Sequence, residues 1–88
     1  MSWSIEYHKE ADKFLSKNQN ISAPLKETLK EFIRFLQGET ASINLKKLSG
    51  KWEGYHRIRK GDVRIIFDFD HNEQSIYVRK IDFRGKVY

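Results

Sequence analysis

The reading of the fold turns on Trp52-Glu53-Gly54-Tyr55-His56-Arg57-Ile58-Arg59-Lys60-Gly61-Asp62-Val63-Arg64. This reads as two short β segments joined by a Lys60-Gly61-Asp62 turn, with Gly61 supplying the backbone freedom that a tight reversal needs. Side chains alternate across a strand, so Tyr55, Arg57 and Arg59 share one side while Ile58 faces the other. On the returning strand Arg64 is out of phase with Val63, Ile65 and Phe67. With that aliphatic series packed inward, Arg64 joins Arg57 and Arg59 on one outer face. Like charges repel, and a polyanion is the simplest partner for three guanidiniums on one surface.

Downstream, Val63 to Asp70 continues as a strand, His71-Asn72-Glu73-Gln74 turns the chain, and Ser75 to Phe83 forms another strand. Simple alternation there puts Ile76 and Val78 on one side and Tyr77, Arg79 and Ile81 on the other. The tail is Arg84-Gly85-Lys86-Val87-Tyr88. Upstream, residues 39 to 53 read as a loop that exposes Lys46, Lys47 and Lys51 and is anchored by Leu45 and Leu48.

Near the start, Trp3, Ile5 and Tyr7 alternate with Ser4 and Glu6 as in a half-buried strand. Ala11, Phe14 and Leu15 fall at i, i+3 and i+4, which predicts a short helix over about residues 9 to 18. Ser22 as N-cap and Pro24 in the first turn then open a second helix. Its apolar stripe is Leu25, Leu29, Phe32, Ile33 and Leu36, and Gly38 stops it. The order β-α-α-β-β-β predicts an α+β fold in which a helical hairpin packs on one face of a mainly antiparallel four-stranded sheet, leaving the other face uncovered.

Composition narrows the function classes. Eighty-eight residues make a single domain spanning 1–88. The absence of cysteine excludes disulfides and thiolate metal sites, and His8, His56 and His71 lack ligand spacing, so neither metal nor cofactor is expected. No apolar run approaches the ~20 residues of a membrane span, which predicts a soluble, cytoplasmic protein. Residues 1 to 44 carry six bases and six acids, whereas residues 45 to 88 carry eleven and six, so the whole +5 excess lies in the second half. That asymmetry points to nucleic acid, an acidic protein or another anionic surface.

Asn44-Leu45-Lys46-Lys47-Leu48, Gly54-Tyr55-His56-Arg57-Ile58-Arg59, Gly61-Asp62-Val63-Arg64-Ile65-Ile66-Phe67 and Arg84-Gly85-Lys86-Val87-Tyr88, taken in that order, resemble the RelE/ParE superfamily of toxins from type II toxin–antitoxin pairs. The resemblance covers essentially the whole chain. It implies a cognate antitoxin as partner and, for the RelE branch, metal-independent cleavage of mRNA in the ribosomal A site, which inhibits translation. Carried over residue by residue, the catalytic positions are Arg57, Arg59, Arg64, Arg84 and Tyr88. Lys46, Lys47, Lys51, Lys60, Arg79 and Lys86 are the accompanying RNA-binding candidates. Asp82 is read as an ion-pair partner of Arg79, Lys80 or Lys86.

The sequence departs from those ribonuclease branches that use a glutamate and a histidine for acid–base work. Val87 occupies the place of that histidine, and Asn44-Leu45 stands near where the glutamate would be. His56 is turned away from Arg57 and Arg59 by alternation, which makes it a structural histidine. Two alternatives stay open from the sequence: a ParE-like inhibitor of DNA gyrase without a nuclease site, and a catalytically inert RNA-binding module.

Overall fold

Every second residue of Val63, Ile65 and Phe67 points to one side of a strand, and all three are almost wholly buried, at 6%, 0% and 0% exposure. The computed structural model describes residues 3–40 and 43–83. Around that strand stand β1 (Ser4–Tyr7), α1 (Lys9–Lys17), α2 (Gln19–Leu36), β2 (Leu45–Lys47), β3 (His56–Lys60), β4 (Val63–Asp70) and β5 (Ser75–Phe83). The sheet order is β1-β5-β4-β3-β2. β1 runs parallel to β5, and the other neighbours are antiparallel. The α+β layering with a helical hairpin is as expected, and the difference is a fifth strand.

That strand, β2, falls in the segment read as a loop. Three residues are too few to show a period, and β2 exists because β3 offers it an edge: Leu45 pairs with Ile58, Lys46 with Arg57 and Lys47 with His56. The central turn falls where expected but is one residue shorter, because Lys60 belongs to β3. Lys60 pairs with Val63 across a two-residue loop whose first position, Gly61, sits at φ +60°. A glycine at the first loop position is what a mirror-image hairpin turn requires.

α1 opens on His8, whose Nδ1 accepts from the Glu10 backbone N–H at 3.2 Å, with Glu10 and Asp12 in the first turn and Lys17 in the last, as the helix dipole favours. It closes on Asn18, which donates through backbone N and Nδ2 to the Phe14 carbonyl. The same Asn18 stands at the N-cap position of α2 without a capping bond from its side chain; this helix begins four residues earlier than a Ser22 cap would start it, and Pro24 lies inside it. The two helices put Ala11, Leu15, Leu25, Leu29 and Phe32 against Ile58, Ile65, Phe67, Ile76, Val78 and Ile81 of the sheet. Phe32 is the central contact, with ring centroids 4.9 Å from Phe67 and 5.2 Å from Phe69.

Simple alternation sets Ile81 on the side opposite Ile76 and Val78, but it is 4% exposed and belongs to the same core as they do. The register slips between Ile66 and Phe67: Phe67 pairs with Val78 while Ile66 pairs with Lys80, so Arg79 is an extra residue on β5. A bulge of this kind reverses the alternation beyond it. Ile81 therefore turns to the helices, and Lys80 turns away from them.

Candidate nucleic-acid interface

Paired residues in a sheet share a face, so the register maps the side opposite the helices. One row across it reads Lys46, Arg57, Ile66, Lys80. The next reads Arg59, Arg64, Asp82. The backbone N–H of Arg59 donates to the Asn44 carbonyl at 3.2 Å, which extends the second row to Asn44. Four strands thus carry five cationic side chains and one carboxylate onto two adjacent rows. Arg57, Arg59 and Arg64 lie together as alternation predicts.

The face is open at its margin, where Lys46 and Arg59 are exposed, and closed at its centre. Arg64, expected to project into solvent, is 7% exposed, and its neighbour Ile66 is 0% exposed. Nη1 of Arg64 is buried with no hydrogen-bond partner among the described residues. Arg57 is half-buried and Arg59 is exposed. Asn44 sits between them. With its amide oxygen turned toward Arg59 it accepts from Nε and Nη2 at 3.1 and 3.0 Å, whereas the opposite orientation leaves only Nη2 of Arg57 at 3.5 Å. The fork to Arg59 satisfies the guanidinium better, and it holds that side chain in place.

The remaining sequence candidates divide. Lys46 is on the cationic face opposite Arg57. Lys47 pairs with His56 and Lys60 with Val63, so both belong to the helix side of the sheet, at its exposed margin. Lys51 lies in a short 3-10 turn, Gly50–Trp52, with Nζ 5.8 Å from the centre of the Trp52 indole. Arg79, in the bulge, is drawn to the start of α1, where Nη1 lies 3.3 Å from Nδ1 of His8 and 3.8 Å from Oε2 of Glu10. It is therefore tied to the helix layer. Asp82 lies opposite Arg64, and its carboxylate accepts from the Phe83 backbone N–H at 2.8 Å. Arg84, Lys86 and Tyr88 lie outside the described residues.

Sequence reasoning passed over Lys80 as a member of this face. The signal was present: Ile76, Val78 and Ile81 are spaced two and then three apart, which breaks the period of a regular strand.

His56 faces the helix layer, as expected. Its ring packs 5.9 Å from Phe67 and 5.0 Å from Phe69. Burial lowers its pKa from the usual imidazole value; the Asp68 carboxylate opposes that shift and Lys47 adds to it. A depressed histidine favours the neutral form in the fold, so the unfolded chain takes up the proton first. Its contribution is complete above the unfolded value of ~6.5 and is lost as pH falls from there through the lower folded value. Urea midpoints at pH 7.5 and 5.5 are expected to drop for the wild type, and the drop is expected to be smaller for His56→Gln. Equal drops would place the acid sensitivity elsewhere.

Among the described residues no group of three or more histidine, aspartate or glutamate side chains is placed to hold a metal ion, and no helix is long and apolar enough to cross a membrane.

No family model matches the chain, and no curated protein matches its sequence. Solved structures do match its fold. The toxin–antitoxin complex of RelB and RelE from Mycobacterium tuberculosis contains a chain with TM-score 0.72 and 19% identity, over 96% of this chain and 100% of that one. A YafQ variant from E. coli gives 0.75 and 18%, covering 99% of each chain. The archaeal RelE–RelB complex from Pyrococcus horikoshii gives 0.70 and 22%, over 99% of this chain and 100% of that one. The fold is that of the RelE-like toxins, as the sequence resemblance implied.

Proposed function

We propose that this chain is the toxin of a type II toxin–antitoxin pair and cleaves mRNA on the ribosome through the RNA's own 2′-hydroxyl. The observation that carries the reading is the double row of Lys46, Arg57, Lys80, Arg59 and Arg64 on the sheet face away from the core. Cognate antitoxins accompany structural neighbours such as the RelB–RelE complexes, and an acidic or amphipathic antitoxin segment would complement this basic surface.

The chemistry sets the requirements. The 2′-oxygen attacks the adjacent phosphorus, the bond to the 5′-oxygen breaks, and the products are a 2′,3′-cyclic phosphate and a 5′-hydroxyl. One proton leaves the attacking oxygen and one reaches the leaving oxygen. Between those events the phosphorane carries extra negative charge, and fixed donors aimed at it lower the barrier. Guanidiniums suit that task because they stay charged and present a planar fork to phosphate oxygens. Arg64 is the best prepared of the three. It is desolvated in advance, and its buried Nη1, without a partner among the described residues, would take a phosphate oxygen once the side chain turns outward. Arg57 flanks it from β3, while Arg59 is held by Asn44. The resemblance assigns Arg84 to the same charge-stabilising set and Tyr88 to stacking on a base, orienting the 2′-hydroxyl or taking its proton. His56 faces the other side of the sheet and takes no part.

Induced expression followed by mapping of transcript 5′ ends tests the proposal. New ends clustered within translated codons are expected, and Arg57→Ala should reduce them by roughly tenfold or more. Intact transcripts accompanied by inhibition of supercoiling would establish the gyrase-inhibitor reading instead. Salt-sensitive RNA binding with no cleaved product would establish an inert binding module.

A further inference from the structure

The cationic face ends at an aromatic pair that the cleavage chemistry does not use. Trp52 and Tyr55 lie on the connection between β2 and β3, and their rings meet edge to face, with centroids 5.7 Å apart and planes at 88°. The pair is held at its base by backbone hydrogen bonds from Leu48 N–H to the Tyr55 carbonyl at 3.0 Å and from Tyr55 N–H to the Trp52 carbonyl at 3.0 Å. Both rings are only half-buried. Trp52 walls two open clefts. One, of about 400 Å³, is shared with Lys46, Lys47 and Lys51. The other, of about 460 Å³, joins Trp52 and Tyr55 to Lys51, Arg79 and Lys80, with the Glu10 carboxylate at its edge beside Arg79. Lys46 and Lys80 belong to the row that contains Arg57, so each cleft meets the cationic face along one wall, while Lys47 and Arg79 line the wall toward the helix layer.

We propose that Trp52 and Tyr55 form a stacking platform for an unpaired base of single-stranded RNA beside the strand whose phosphates lie along Arg57 and Arg64. This rests on the nucleic-acid reading of that face and adds a base-binding subsite to it. Lysines alone hold phosphates but have nothing to offer a base. An aromatic ring bordered by cations on two sides provides for both parts of a nucleotide, because every base has a π face and every link has a charge. Lys51 now rests over the indole. An arriving base takes its place, and the freed ammonium is then available to the neighbouring phosphate. Stacking of this kind is indifferent to sequence, so the platform sets the path of the strand and leaves base choice to other contacts.

The test uses a short RNA with 2′-O-methyl groups, which cannot be cleaved because the attacking hydroxyl is blocked. In a Trp3→Phe background the only tryptophan emission comes from Trp52. Titration is expected to quench it. A strand of the same length with abasic positions keeps its phosphates and is expected to bind ~10-fold more weakly with no quenching. Trp52→Leu should lose the same factor for the base-bearing strand, with the slope of log K against log salt unchanged, while Trp52→Phe should recover most of it. The abasic comparison needs no altered protein fold. Equal affinity for the two strands, or no quenching on binding, or no binding of either strand, would overturn the platform. A strand that binds and quenches, but is left intact when unmodified, would leave the platform standing and remove the nuclease reading.

Discussion

Replacing Arg64 with methionine is expected to lower RNA cleavage by ~10²–10³-fold while leaving the protein as stable as before or more so, the rate figure being that for loss of one pre-organised oxyanion donor. The two halves of this expectation have the same cause. A guanidinium that is 7% exposed has lost most of its hydration, and its Nη1 has gained nothing in return from the described residues. Burying a charge without full pairing opposes folding, and an apolar side chain of similar length removes that opposition. When phosphate arrives, the same desolvation works in favour of the proposed cleavage, because a donor with no water to shed meets developing charge at low dielectric. Arg64→Lys should be impaired as well, since a single ammonium cannot reproduce the fork. Thermal melts and single-turnover cleavage of the same preparations decide the matter. A variant that melts much lower but cleaves normally would make Arg64 a structural residue and would leave the proposed site without its centre.

Phe32→Ala is expected to cost ~3–5 kcal/mol, the usual range for removing a buried phenyl ring. Phe32 is 0% exposed and meets Phe67 and Phe69 edge-on, so the deletion removes transfer energy, ring contacts and filling volume together. Domains of this size have a total stability of ~5–15 kcal/mol, so the loss takes a large fraction of it. The melting temperature should fall by roughly 15–30 °C. Phe35 provides the comparison: it stacks on Phe32 but is 43% exposed, and its alanine variant should lose about 1 kcal/mol or less. Urea unfolding of both variants measures the difference. Equal losses would mean that the contact between α2 and the sheet is not centred where the packing places it.

Legibility in the sequence followed interaction range. The hairpin around Gly61 was readable because a two-residue turn and period-two alternation are local, and they correctly placed Arg57, Arg59 and Arg64 together. The helical stripes were readable for the same reason, although α2 starts at Gln19, earlier than Ser22 and Pro24 suggest, with Asn18 as the one residue between the two helices. β2 was not readable as a strand, because its three residues become one only when β3 lies beside them. The bulge at Arg79 was missed although the spacing of Ile76, Val78 and Ile81 hinted at it, and with it went the position of Lys80.

Sequence alone therefore determined the class of fold, the direction in which each hairpin arginine points, and the concentration of positive charge in the second half of the chain. These are properties of neighbouring residues, set by strand and helix periods and by the turn chemistry between them. Tertiary structure alone decided that Arg64 is desolvated, that Asn44 holds Arg59, that Arg79 belongs to α1 and Lys80 to the cationic face, and that Trp52 borders that face. Burial and partner choice depend on what the rest of the chain brings alongside a residue, and residues far apart in sequence make those contacts.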